Sequence, residues 1–220
     1  HVNRNIRDAT RTGDLMEVRI DARTSSADET RELGINVGDY IFLDPRVEAT
    51  DTGFVRSRHL DDKASVATIY GALLALKDAG LKPAQDTFLL ITNYEEVGHG
   101  GAEGLPDSLV ELLAVDMAAI GPGQASDEYS VTVCVKDSSG PYDHELSSKL
   151  RHLADVHDID CKVDIYPYYG SDGSAYWRAG GAAKVALVGP GVDASHGYER
   201  THVDSLNHTA HLLARYLIQA

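Results

Sequence analysis

The chain has 220 residues, 43% hydrophobic and 25% charged, an ordinary globular composition with room for one sizeable core and a small accessory unit. Its 20 Lys plus Arg against 34 Asp plus Glu leave a formal net charge of -14, which argues against nucleic acid or anionic membrane as the main partner. Only Cys134 and Cys161 are present, each in an apolar strand-like context, so no disulfide framework is expected and a reducing, cytoplasmic setting is favoured.

No apolar run approaches the ~18 residues of a membrane span. The start, His1-Val2-Asn3-Arg4, has neither a signal-peptide core nor an initiator Met, and is expected to be a fragment or a processed product. Leu15 to Ile20 alternates apolar and polar residues as a half-buried strand does. Ser26-Ala27-Asp28-Glu29 opens a short helix that ends at Gly34. Val37 to Leu43 reads as a strand stopped by Pro45, and Gly53 to Leu60 as another. Residues 1–57 are therefore expected to form a small β-rich accessory domain with one helix, and residues 58–220 the main domain.

From Asp61 the pattern turns helical, with Ala64, Ala67, Tyr70, Gly71, Leu74 and Ala75 on one face until Gly80 and Pro83. Phe88-Leu89-Leu90-Ile91 reads as a buried strand carrying Glu95-Glu96 at its carboxyl end, where open α/β sheets place their chemistry. A helix is expected over Leu105 to Leu112, then an apolar strand from Leu113 to Ile120 interrupted by Asp116. Tyr129 to Val135 and Cys161 to Tyr166 read as strands, Asp143 to Val156 and Ser171 to Ala179 as helices. Lys184 to Val188 is a buried strand, and the last helix spans about Asp204 to Ile218. This alternation predicts an α/β fold with a mainly parallel sheet flanked by helices.

Acidic and imidazole groups fall at element boundaries: Asp61-Asp62, Glu95-Glu96, Asp116, and His202 in Tyr198-Glu199-Arg200-Thr201-His202. An acid inside an apolar strand, such as Asp116, costs several kcal/mol unless a cation or hydrogen bonds satisfy it. Oxygen donors with one imidazole suit Zn, Mn or Co. Two metals sharing a carboxylate would explain why so many acids converge. Rival chemistries lack their residues: there is no Gly-x-Ser-x-Gly elbow, no His-Glu-x-x-His helix and no phosphate loop around Gly98, Gly100 and Gly101.

These stretches, Arg58-His59-Leu60-Asp61-Asp62-Lys63-Ala64, Glu95-Glu96-Val97-Gly98, Val115-Asp116, Gly170-Ser171-Asp172 and Tyr198 to His202, resemble the successive motifs of the dinuclear metallo-aminopeptidases of metallopeptidase family 42. Glutamyl aminopeptidase and the tetrahedral TET particles typify that family. The tail Val192 to His202 is similar to a bacterial branch associated with biosynthesis of the osmoprotectant N-acetylglutaminylglutamine amide. The resemblance implies a zinc-exopeptidase-like fold, a partial PDZ-like accessory domain and homo-oligomers from dimers to dodecamers. It implies peptide substrates and two divalent ions, Zn foremost, with Mn or Co possible. Asp61 would bridge the ions, Glu96 and His202 complete one site, Asp116 serve the other, and Glu95 act as general base. The Asp61-Asp62 peptide would be cis. Asp62, Asp172, His196 and His99 would play supporting parts.

The family's remaining ligand is a His in a His-x-Asp motif ahead of the accessory domain, and His1-Val2-Asn3 does not supply it. On that reading the second site keeps only Asp61 and Asp116. His59 stands two residues before Asp61, where strand spacing sets both side chains on one face; a hydrogen-bonding role is its plainer expectation. Alternatives are a deacylase acting on an acylated dipeptide amide, a glycosidase using the paired carboxylates, and an inactive assembly subunit.

Overall fold

The computed structural model describes residues 8–219; the expectations for His1-Val2-Asn3-Arg4 lie outside them. The chain divides into two compact units, one reaching to Phe42 and the other starting at Leu43, not at the expected boundary of residue 57.

Up to Phe42, the described residues contain a 3-10 turn at Gly13–Leu15 and one helix, α1 (Ala27–Glu32), but no strand. Ser26 caps α1 by accepting a hydrogen bond from the Glu29 N–H at 3.2 Å, and Glu29 reaches back to the Ser25 N–H. The strands expected over Leu15 to Ile20 and Val37 to Leu43 do not form, and Val18, Val37 and Phe42 stand exposed. Alternating polarity gives a strand only when a second strand accepts its ladder, and these segments have none. The expected PDZ-like domain is accordingly not seen among the described residues.

The second unit holds two sheets. A small antiparallel one joins β1 (Glu48–Ala49), β2 (Phe54–Ser57) and β9 (Glu199–His202). The main sheet orders β3 (Glu111–Val115), β8 (Lys184–Val192), β5 (Val131–Asp137) and β6 (Gly140–Pro141), with β4 (Ala118–Ala119) on β8 and β7 (Cys161–Tyr166) on β5. Pairs β3-β8, β4-β8 and β5-β7 are parallel, while β5-β8 is antiparallel. The sheet is thus mixed, because β8 runs against its neighbour β5.

Strand β8 is apolar on both faces, since both are covered. Ala186 and Val188 pack with Val131, Val133, Leu146, Leu150 and Leu212 beneath helices α2 (Leu60–Asp78), α3 (His144–Val156) and α5 (Val203–Leu217). Val185 and Leu187 face the other way, to Cys134, Tyr142, Tyr166 and the Trp177 of α4 (Asp172–Arg178).

Three expectations need correcting here. Helix α2 buries Ala64, Ser65, Thr68, Ala72 and Leu76, a face turned from the expected one; Tyr70 and Leu74 point to solvent. Thr68 tolerates burial on that face because its hydroxyl donates to the Ser65 carbonyl at 2.8 Å. Phe88 to Ile91 forms no strand and is exposed, and Leu105 to Leu112 forms no helix, its last residues opening β3. Among the described residues no helix is long and apolar enough to cross a membrane.

Candidate active site

Asp61 and Asp62 open α2 with non-helical torsions, joined by a cis peptide. The chain enters from β2 through His59, a left-handed residue at φ 65, and buried Leu60 packs against Met117 and Val192. The Asp61 side chain is only 7% exposed. Its Oδ2 accepts from the Ser195 hydroxyl at 2.8 Å, and its backbone N–H donates to Glu199 Oε2 at 3.1 Å. The buried Oδ1 of Asp62 has no hydrogen-bond partner. A buried carboxyl oxygen left so is costly unless a cation comes to it.

Asp116 follows β3. Its N–H donates to the Val188 carbonyl at 3.0 Å, and its Oδ1 accepts from the Met117 N–H at 2.7 Å. Gly189 lets the two backbones approach this closely, for a Cβ there would lie 1.7 Å from the Asp116 carbonyl oxygen. The parallel pairing of β3 with β8 thereby fixes how deep Asp116 sits, at the carboxyl ends of adjacent strands.

Glu95 and Glu96 lie in a 3-10 turn, Glu95–Val97, between left-handed Tyr94 and Gly98. Asp172 fastens this loop to α4. Its Oδ2 accepts from the Thr92 hydroxyl at 2.5 Å, and Gly100 and Gly101 pass so near that added Cβ atoms would fall 2.5 Å from its Oδ1 and its carbonyl oxygen. His99 stacks on the Tyr94 ring at 5.1 Å beside the acids.

The loop between β8 and β9 supplies the imidazole. Ala194 and His196 are both left-handed, at φ 58 and 62, and His196 Nε2 lies 3.0 Å from Glu96 Oε2 and 3.4 Å from Asp61 Oδ2. Two donor groups result, Asp61 with Glu96 and His196, and Asp61 with Asp62 and Asp116; within each the donor atoms lie within 4.8 Å of one another. Asp61 belongs to both. Four of the six described non-glycine residues with positive φ, namely His59, Tyr94, Ala194 and His196, adjoin these donors. Such torsions concentrate where function overrides local comfort.

His202, the expected imidazole ligand, belongs to neither group. It caps α5, with Nδ1 accepting from the Asp204 N–H at 3.1 Å and Nε2 2.9 Å from the Thr52 carbonyl. Its ring packs edge-on to Phe54 at 4.9 Å. The reason is strand alternation: Glu199 and Thr201 are buried toward the site, so His202, an odd number of residues from Glu199, projects from the opposite face of β9. His59 also joins neither group, and Asp62, expected only to support, stands among the donors.

Glu199 was not anticipated at all. It is 2% exposed, and its second oxygen accepts from the His196 N–H at 3.1 Å. The alternation Glu199-Arg200-Thr201-His202 was the available signal.

Crowded carboxyls hold their protons. Burial, reinforced by Asp61 and Glu95, raises the Asp62 carboxyl to about 8. Burial, then Asp172, Glu96 and Asp61, raise Glu95 to about 7, against the opposing pull of His196. Burial pushes Asp116 well above the carboxylate range. Four carboxyl groups and one imidazole, with an unpartnered buried oxygen among them, fit divalent cations of the Zn, Mn or Co type.

The sequence matches the M42 glutamyl aminopeptidase family over residues 1–212. The chain belongs to that family. It is 51% identical over 217 residues to the Bacillus subtilis (strain 168) protein named "Putative aminopeptidase YhfE", covering 99% of this chain and 63% of that one. Its fold is similar to aminopeptidase APDkam598 of the archaeon Desulfurococcus kamchatkensis, with a TM-score of 0.76 at 22% identity over 90% of this chain and 58% of the other. It is also similar to the TET1 peptidase of Pyrococcus horikoshii, described as assembling into a tetrahedron or a large octahedral shell. There the TM-score is 0.68 at 21% identity, over 80% of this chain and 53% of that one. The M42 chain thus spans less than two thirds of these relatives' lengths.

Proposed function

We propose that this M42 chain carries the catalytic centre of a metal-dependent aminopeptidase that removes N-terminal residues from peptides and works as a homo-oligomer. The observation that carries the reading is Asp61, shared between two three-donor groups, with Glu95 in neither and yet within the electrostatic reach of Asp61, Glu96 and Asp172. Asp61, Glu96 and His196 would hold one ion, and Asp61, Asp62 and Asp116 the other. Bound ions would polarise the scissile carbonyl and lower the pKa of water.

The chain's own groups do the remainder. Glu95, beside the donor groups but in neither, takes the proton of the attacking water and returns it to the leaving amine nitrogen. The acid-rich rim formed by Glu95, Glu96 and Asp172 favours the ammonium of a free peptide N-terminus. Assembly is inferred from the shells described for the Pyrococcus horikoshii relative.

The test is removal of metal with a chelator and reloading with Zn, Mn or Co, with assay on aminoacyl and N-acetylaminoacyl anilides. Activity on the free-amine substrate that depends on metal supports the reading. Activity confined to the acetylated one would make the site a deacylase, and chelator-resistant cleavage of sugars a glycosidase.

A further inference from the structure

We propose that Glu199 is the positioning residue of this centre, fixing Asp61 and His196 against each other; the proposal rests on the metal-site reading above. Three observations carry it. First, Glu199 is only 2% exposed, although a buried carboxylate is expensive without partners. Second, its partners are two backbone N–H groups: that of Asp61 on Oε2 at 3.1 Å and that of His196 on Oε1 at 3.1 Å. Third, both stretches it joins carry left-handed non-glycine residues. The β8-β9 loop holds Ala194 and His196 in the left-handed region, and His59 just before Asp61 is left-handed too.

Such torsions persist only where surrounding contacts hold them. Hydrogen bonds to an ionised acceptor are the stronger kind, and a carboxylate has an acceptor oxygen for each of the two amides. The pairing of β9 with β2 puts Glu199 opposite Ser57, just ahead of the turn into Asp61. Glu199 is therefore anchored by the small sheet while it grips both ligand-bearing segments. It reaches no donor atom of the metal groups and acts only through Asp61 and His196.

Glu199→Gln keeps the shape but turns one acceptor oxygen into an N–H₂ donor facing an N–H donor. Outer partners of this kind change metal affinity by roughly 10- to 100-fold. The experiment titrates Co²⁺ into the metal-free full chain, wild type and Glu199→Gln, and records the visible absorption spectrum with the melting temperature. The expected result is a folded variant with at least tenfold weaker Co²⁺ binding and an altered spectrum. In the peptide assay kcat falls while KM stays within about twofold, since substrate contacts are untouched. A variant that loses thermal stability but keeps the wild-type Co²⁺ affinity and spectrum overturns the proposal, because a merely structural Glu would behave so. If wild type itself takes up no Co²⁺, the metal-site reading falls, and the proposal with it. Should Glu199→Gln fail to fold, amide exchange in the metal-free wild type decides: slow exchange at both Asp61 and His196 supports the clamp, and fast exchange at either overturns it.

Discussion

His196 Nε2 lies 3.0 Å from Glu96 Oε2, so the imidazole of the β8-β9 loop closes over the acidic 3-10 turn. His202, at the end of β9, instead caps α5. The two histidines should therefore fail differently. His196→Ala is expected to lower metal uptake and activity at least tenfold with little change in melting temperature. His202→Ala is expected to cost about 1 to 2 kcal/mol through the lost cap while metal uptake persists. Metal titration and thermal melts of both variants check this, and the reverse pattern would return the ligand role to His202.

Glu95 stands outside both donor groups. Glu95→Gln is expected to bind metal as wild type does and to hydrolyse peptides on the order of 10²- to 10⁴-fold more slowly, the usual worth of a general base. Single-turnover assay of a metal-loaded variant with confirmed stoichiometry measures it. Near-normal turnover would remove Glu95 from the proton's path.

The metal-free site ties stability to pH in an unusual direction. Unfolded Asp and Glu lose their protons near ~4, whereas folded Asp62 and Glu95 keep theirs to about 8 and about 7. Between those limits the unfolded chain has shed protons that the folded chain retains, so rising pH favours unfolding through these two groups. Divalent cations displace the same protons. The gain in melting temperature on adding Zn²⁺ should accordingly be larger at pH 8 than at pH 5.5. An equal gain at both would separate the ion from these carboxyls.

Gly189 and Gly191 sit on β8 with equally tight backbones: a Cβ would fall 1.7 Å from the Asp116 carbonyl oxygen in one case and 1.8 Å from that of Asp127 in the other. Replacing either with Ala is expected to destabilise the fold by about 1 to 3 kcal/mol. Only Gly189→Ala displaces a donor, so only that variant should also lose metal affinity. Paired melts and metal titrations distinguish the two.

Much of this architecture could be read from residues alone, and the failures share a physical cause. Strand β7 falls on the expected Cys161–Tyr166, and α3, α4 and α5 begin and end within about a turn of expectation. Their caps and apolar stripes are local signals. Asp61, Glu96 and Asp116 do come to the donor groups, as motifs that end elements at one rim of a sheet should. Phe88 to Ile91 failed because strand formation depends on a partner elsewhere, which no window of sequence contains. That His196 and not His202 stands in a donor group could not be read from sequence, because it depends on the face of β9 and on the path of a loop through left-handed torsions. Glu199 reads in sequence only as part of the Tyr198 to His202 stretch, with no role of its own; its burial is what marks it out.

Strand β8 begins in the tightest part of the core, with Val185 and Ala186 fully enclosed, and runs straight into the loop that carries His196. Heat that frays the exposed Phe88 to Ile91 stretch would leave the imidazole in place, and the histidine end of the site should survive until the sheet itself gives way.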